Sequence, residues 1–433
     1  MRPGRDKIIM ISIHGYVSAA PELGKPDTGG QVVYVLEIAR CLGRMGFEVD
    51  ILTRRFEDQP AVDVVQDGVR VVRIPCGGVE FIPKETIHEC LDQWVENAYP
   101  YLRKQVKGIA FINSHYWDAG VAGMQLAECL SLPHLHTPHS LGVWKRENMP
   151  GKEEEKEQRY NFRHRIMEER RIYQQSQALI ATTPQQKEIL LASEYSTPEA
   201  RIRVIPPGYD DTRFFAVSEP TRQAIKRELG MEGKIVLALG RTARNKGYDL
   251  LVRSMAPVFE RVPDARLLLA VGSTQPTESE EAIIAELRQI AKQSGFADRV
   301  MIQDYIPDDR LADYYRAADV FALSSRYEPV GMTAIEAMAS GIPTVITTQG
   351  GLWDQVTWGV EAVYANPNDP DAFGHAITQI LSYPALAAQL AENGAKKARS
   401  SFTWTGITQQ IVNLAEETRS SANFPVNPAP IMK

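Results

Sequence analysis

The chain has 433 residues, 44% hydrophobic and 24% charged, with a formal net charge of −6. That length exceeds one ordinary core and predicts two or three domains, while the acidic balance argues against nucleic acid as a partner, because phosphate-backbone binders carry a basic face. Cys41, Cys76, Cys90 and Cys129 stand without C-x-x-C spacing, which fits a reducing compartment and neither a disulfide framework nor a zinc site.

Lys7 to Ser12 reads as a strand, and this apolar run is too short for a secretion signal or a spanning helix. A cytoplasmic location without a membrane partner is the expectation. Gly30 to Met45 has apolar residues at helical spacing. Glu48 to Thr53 and Val69 to Ile74 follow as strands, Thr86 to Arg103 as a helix and Ala110 to Asn113 as a strand. Ala119 to Leu130 reads as a helix, His134 to Thr137 and Ala178 to Thr182 as strands. Lys152 to Arg171 mixes acids and bases closely, which suits a solvated or substrate-facing helix better than one lying on a membrane.

Ile205-Pro206-Pro207-Gly208 can continue neither element and reads as an inter-domain linker and hinge. The alternation then restarts, with strands at Ile235 to Leu239, Ala265 to Val271, Val300 to Ile302, Val320 to Leu323 and Thr344 to Thr347. Helices alternate with them at Tyr248 to Arg261, Ser279 to Ser294, Asp308 to Ala317, Thr333 to Ser340 and Asp371 to Tyr383. This pattern predicts an α/β protein of two Rossmann-like, doubly wound parallel-sheet domains, residues 1–207 and 208–404. Ligands are expected in a cleft at the carboxyl ends of the strands. Residues 421–433 lack periodicity and are expected to fray.

Ser325-Arg326-Tyr327-Glu328-Pro329-Val330-Gly331-Met332-Thr333-Ala334-Ile335-Glu336 is the most informative stretch. Two carboxylates flank a glycine where a loop becomes a helix. Helix starts favour anions through unpaired donors and the macrodipole. A diphosphate can therefore rest on Gly331, Met332 and Thr333, with Glu328 facing the group it carries and Glu336 in reach of a ribose diol. Upstream, the apolar strand from Ile235 ends in Gly240, followed by Arg241 and Lys246. Cations placed there stabilise charge that develops on a departing β-phosphate. The plainer alternative is a core helix with solvated acids and a loop with surface cations.

In the first half, Gly29-Gly30-Gln31 opens a helix after a strand, where glycine admits close approach of a ligand. A dinucleotide loop is the runner-up, but G-x-G-x-x-G is absent. His139 lies just past a strand end, placed to hydrogen-bond a sugar hydroxyl. His115, His134 and His136 read as structural, since no carboxylate cluster accompanies them to make a metal site.

The stretches Ser12-Ile13-His14-Gly15-Tyr16, Asp27-Thr28-Gly29-Gly30-Gln31-Val32-Val33-Tyr34-Val35 and Phe111-Ile112-Asn113-Ser114-His115-Tyr116-Trp117-Asp118-Ala119-Gly120 are specific. So are His134-Leu135-His136-Thr137-Pro138-His139-Ser140-Leu141-Gly142 and Ile205-Pro206-Pro207-Gly208-Tyr209-Asp210. In these motifs, from Ile9 to about Trp404, the chain resembles the retaining GT-B glycosyltransferases of family 4. Within that family it is most similar to the group of sucrose-phosphate synthase and mannosylfructose-phosphate synthase, leaning to the latter. The resemblance implies a GT-B fold whose final helix, about 405–420, crosses back to the N-terminal domain. It implies hexosyl transfer from a nucleotide sugar to fructose 6-phosphate, with Gly30 and Gln31 between the two substrates and His139 on the donor sugar. It implies a phosphate pocket of Lys84, Lys145, Arg163 and Arg165, with Tyr116 and Ser140 adding hydroxyl contacts. No tightly bound cofactor is implied, and a divalent cation such as Mg is compatible with the fold but not required. A sugar-phosphate phosphatase is the implied downstream partner. Val330 stands where relatives carry Phe, and base contacts are expected near Tyr305 and Ile306.

GDP-mannose is the favoured donor, giving mannosylfructose phosphate. UDP-glucose giving sucrose phosphate, another acceptor, and a catalytically silent binding subunit are the alternatives.

Overall fold

The computed structural model of the chain describes residues 1, 4, 6–21, 27–149, 151–272, 276–303 and 306–421. Tyr305, expected near the base, and the tail beyond 421 lie outside them. The chain divides into two compact units, one of Met1–Pro206 joined by the C-terminal helix from Trp404, the other of Pro207–Thr403.

The first unit is built on β1 (Lys7–Ile11), β2 (Glu48–Arg55), β3 (Val62–Gln66), β4 (Val69–Pro75), β5 (Ile109–His115), β6 (His134–Thr137), β7 (Ala178–Ala181) and β8 (Ile202–Val204). They form one sheet in the order β3-β4-β2-β1-β5-β6-β7-β8. All neighbours are parallel except β3, which runs antiparallel to β4 at the edge. β1 sits inside, with Ile8 opposite Val49 on one side and Phe111 on the other, and Ile8 to Ile11 are fully buried. Burial on both faces is what an unbroken apolar run anticipates.

β3 breaks the periodic expectation. Its Val62 and Val64 are exposed, so no buried face marks it, and only the two-residue Asp67-Gly68 turn betrays the hairpin. The helix expected over Thr86 to Arg103 begins as a 3-10 turn, Ile87–Cys90, before Leu91–Arg103. Lys152 to Arg171 is two helices rather than one, Glu153–Tyr160 and Phe162–Gln175, because Asn161 adopts a left-handed φ of 48° between them. The C-terminal helix Trp404–Ser421 packs on Gly30–Arg44, where the Trp404 ring meets Tyr34 edge-on at 5.5 Å.

The second unit is a parallel sheet of β9 (Lys234–Gly240), β10 (Ala265–Val271), β11 (Val300–Gln303), β12 (Val320–Leu323), β13 (Thr344–Thr347) and β14 (Val363–Ala365), ordered β11-β10-β9-β12-β13-β14. Helices Tyr248–Arg261 and Pro370–Ser382 cover one face, burying Leu251, Met255, Phe373 and Ile377 with Val236 and Leu267. Helix Met332–Ala339 covers the other, burying Ile335 and Met338 with Leu237, Phe321 and Ile346. Each sheet is thus a doubly wound Rossmann-like layer. Among the described residues, no helix is long and apolar enough to cross a membrane.

Candidate active site

Most of the residues singled out by chemistry lie just past carboxyl ends of strands, where a doubly wound sheet leaves its crevice. In the second unit, β9 runs into Arg241, β12 into the Ser324–Gly331 loop, and β13 into Gly350. The Glu328 backbone pairs with Gly350 in an isolated parallel bridge. Its N–H donates to the Gln349 carbonyl at 3.1 Å, and its own carbonyl accepts from Gly351 at 3.1 Å. A Cβ at Gly350 would stand 2.8 Å from the Glu328 carbonyl oxygen, so glycine permits this approach.

Lys246 Nζ lies 2.6 Å from Glu328 Oε2, and Ser325 Oγ donates to the same oxygen at 3.1 Å. Lys246 ends a short 3-10 turn, closed by Gly247 at φ 66°. A Cβ on Gly247 would sit 2.1 Å from the Ser324 carbonyl oxygen. The two loops are joined further. Arg326 N–H donates to the Asn245 carbonyl at 2.8 Å, and the Arg326 guanidinium forks onto Asp249 with two bonds of 2.7 Å. Arg241 is exposed at the rim. Burial and then Glu328 push the Tyr248 phenol well up while Arg241 draws it down, so Tyr248 feels both charged groups.

Helix Met332–Ala339 starts from Gly331 at φ 98° with no side-chain cap. The first N–H groups of a helix have no intrahelical acceptor, so those of Met332 and Thr333 are available beside Glu328. One turn on, Tyr315 donates to Glu336 Oε2 at 2.8 Å. Burial raises the Glu336 carboxyl to about 7, against the opposing pull of Tyr315 and Arg213.

In the first unit, helix Gly30–Arg44 begins without a side-chain cap at an exposed Gly30. The Gln31 amide donates to Ser12 Oγ at 3.2 Å and to the His115 carbonyl at 3.4 Å, which fixes its plane. His139 holds a left-handed φ of 60°. Its Nε2 is 3.0 Å from His115 Nδ1. Burial, then the nearby His14, lowers the His139 imidazole to about 3. It is therefore a neutral hydrogen-bonding group at neutral pH and a weak base.

The cation cluster forms around Lys145, on helix Gly142–Asn148. Its Nζ stands 4.5 Å above the Tyr160 ring. Burial lowers the ammonium to about 7, and Arg165 and Lys84 lower it further than Glu85 and Asp27 raise it. Lys84 is ion-paired with Asp27. Burial pushes the Asp27 carboxyl up, but Lys84 and His14 outweigh it and hold the group below its usual range.

Arg165 is buried. Its Nε donates to Glu169 at 2.8 Å, one terminal nitrogen to the Tyr116 hydroxyl at 2.8 Å, and the other to the Ser140 carbonyl at 2.6 Å. Glu169 also accepts from the Gly142 N–H at 2.9 Å and from the Tyr195 hydroxyl. Arg165 thereby gathers Tyr116, Ser140 and the helix carrying Lys145. Arg163 does not join them. Two positions along a helix turn a side chain by about 200°, and Arg163 is exposed instead, lining a separate surface cavity with His88, Arg159 and Glu157. Of the four expected cations, the structure therefore gathers Lys84, Lys145 and Arg165 and leaves Arg163 apart.

One pair does not emerge from the sequence as a site. His14 Nδ1 lies 2.6 Å from Oδ2 of the fully buried Asp118, and the Tyr116 ring meets His14 edge-on at 4.8 Å. Their common signal is position, since His14 follows β1 and Asp118 follows β5. No group of three or more His, Cys, Asp or Glu suited to a metal occurs among the described residues.

Comparison with known proteins matches residues 221–397 to the glycosyl transferases group 1 family and residues 29–208 to a glycosyl transferase 4-like domain. Mannosylfructose-phosphate synthase of Agrobacterium fabrum is 53% identical over 95% of this chain and 91% of its own. D-inositol 3-phosphate glycosyltransferase of Xylanimonas cellulosilytica is 34% identical over 92% and 93%. The solved sucrose-phosphate synthase of Thermosynechococcus elongatus superposes with a TM-score of 0.84 at 31% identity, covering 96% of this chain and all of that one. Similarity of this extent, together with two doubly wound domains, places the chain in the group 1 glycosyltransferases, as an enzyme of the GT-B fold.

Proposed function

We propose that the enzyme moves a hexosyl group from a nucleoside diphosphate sugar to fructose 6-phosphate, with retention at the anomeric carbon. GDP-mannose is the favoured donor and mannosylfructose phosphate the product. The observation carrying this is the crowding of Lys84, Lys145 and Arg165, in which one ammonium is destabilised first by burial and then by the other two cations. A phosphate dianion relieves that repulsion and accepts charge-assisted hydrogen bonds. The name of the A. fabrum relative supports a mannosyl group joined to a fructose phosphate, and leaves the nucleotide of the donor open.

In this scheme the first-turn N–H groups at Gly331, Met332 and Thr333 hold the diphosphate and Glu336 binds the ribose. Arg241 and Lys246 neutralise the β-phosphate as the glycosidic bond breaks. Glu328, oriented by Lys246 and Ser325, holds sugar hydroxyls and steadies positive charge at the anomeric carbon. His139 donates to a sugar hydroxyl, and Gly30 and Gln31 lie against the transferred group. The acceptor hydroxyl forms the new bond on the face the phosphate leaves, and its proton passes to that phosphate. No protein nucleophile is consumed, and a divalent cation is not required. The product retains its phosphate, so a phosphatase is the class of enzyme that consumes it.

UDP-glucose is the second reading, supported by the sucrose-phosphate synthase likeness. Nucleoside diphosphate release, measured for GDP-mannose and UDP-glucose against fructose 6-phosphate and fructose, tests both. GDP-mannose with fructose 6-phosphate is expected to be fastest. Equal rates on the two acceptors would remove the phosphate pocket, and a preference for UDP-glucose would replace the donor.

A further inference from the structure

Two thiols distant from each other in sequence meet in space. Cys76 Sγ and Cys90 Sγ are 3.2 Å apart and share a hydrogen bond. Cys76 is buried at the end of β4, while Cys90 is partly exposed at the start of helix Leu91–Arg103. The Cys90 side chain also packs on the residue after Cys76, since a Cβ on Gly77 would lie 3.0 Å from Cys90 Sγ and 3.2 Å from its Cβ. The buried Arg54 donates to the carbonyls of Cys76 at 2.9 Å and Gly78 at 3.1 Å, so a fixed positive charge lies beside the pair and acts on both thiols. Cationic neighbours and helix starts favour thiolate. The shared hydrogen bond lowers the Cys90 thiol to about 7 and raises that of Cys76. Cys41 and Cys129 are instead raised by burial.

We propose that Cys90 and Cys76 are a redox-active dithiol, closed to an intramolecular disulfide by a low-molecular-weight disulfide such as oxidised glutathione. Cys90 thiolate attacks one sulfur of the oxidant, whose S–S bond breaks and releases one glutathione thiolate, which takes up a proton. Cys76 then gives up its proton and attacks the Cys90 sulfur of the mixed disulfide, releasing the second glutathione. The dithiol loses two electrons and two protons, and the oxidant becomes two glutathione thiols.

The segment between the two cysteines carries Lys84, which pairs with Asp27 and acts on Lys145. Closing the sulfurs from 3.2 Å to about 2.05 Å pulls the Ile87–Cys90 turn toward the end of β4 and changes how Lys84 is held. This consequence rests on the acceptor reading above, whereas disulfide formation does not.

The test exposes the full chain to oxidised glutathione, alkylates free thiols and maps peptides by mass. A Cys76–Cys90 linked peptide lacking two hydrogens is expected, with Cys41 and Cys129 alkylated. Cys76→Ser should retain glutathione on Cys90, and Cys90→Ser should leave Cys76 unmodified. Alkylation of both Cys76 and Cys90 after exposure, or glutathione on Cys41 or Cys129 in preference, would overturn the proposal. The oxidised enzyme should show a several-fold higher KM for fructose 6-phosphate with the donor KM unchanged. A linked peptide with an unmoved acceptor KM refutes the coupling to Lys84 and leaves the dithiol standing.

Discussion

Removing the Lys145 ammonium is the sharpest test of the acceptor site. It is half-buried over Tyr160, with Lys84 and Arg165 acting on it, so a bound phosphate has few waters with which to replace it. A hydrogen bond to a charged group contributes about 1.5–3 kcal/mol. Lys145→Ala should therefore raise KM for fructose 6-phosphate roughly 10- to 150-fold at about 1.4 kcal/mol per tenfold, leaving the donor KM unchanged. The pH dependence follows from the lowered ammonium, which titrates at about 7 in the free enzyme. Below that pH Lys145 is charged and binds phosphate, and above it the charge is lost. A phosphate monoester becomes a dianion through a second ionisation at about 6. Because kcat/KM reports ionisations of free enzyme and free substrate, its acceptor profile should rise through about 6 and fall through about 7. In Lys145→Ala the falling limb should vanish. Initial rates of nucleoside diphosphate release across this pH range measure both effects. An unchanged acceptor KM, or a falling limb that survives the substitution, would refute the assignment.

Glu328→Gln should lower kcat on the order of 100-fold, the scale of losing a preorganised electrostatic contact, with little change in donor KM. A rate within a few-fold of wild type would mean that the Lys246–Glu328 pair is structural. Arg165→Ala leaves Glu169 buried without its cation and should cost about 3–5 kcal/mol, read as the shift in urea unfolding. A shift below about 1 kcal/mol, the scale of an exposed ion pair, would show that the pair is solvated. Gly247→Ala places a side chain at φ 66° and 2.1 Å from the Ser324 carbonyl oxygen. Backbone strain of this kind costs about 1–3 kcal/mol, so Tm should drop by several degrees, and an unaltered melt would show that the loops yield freely.

Within each unit, the elements that the sequence announces are those whose pattern is local. β10, β12 and β13 are short, mostly apolar runs between turns, and Tyr248–Arg261 carries an apolar stripe that needs no partner to be recognised. β3 escapes because its valines face solvent, and β8 and β14 because three residues carry no period. The Glu328–Gly331–Glu336 segment is legible for the same reason as the strong strands, since its chemistry depends on a loop entering a helix within a few residues.

Local pattern along the chain therefore fixes the alternating architecture and the inventory of reactive groups. Which of those groups meet depends on packing. Lys246 reaches Glu328 across 82 positions and His14 reaches Asp118 across 104. Arg165 turns inward to Glu169 while Arg163, two residues away, faces solvent. Cys76 finds Cys90 at the end of β4. The reason is physical: backbone propensity and apolar periodicity act over a few residues, whereas side-chain contact depends on strand order and helix rotation, which only the packed core sets.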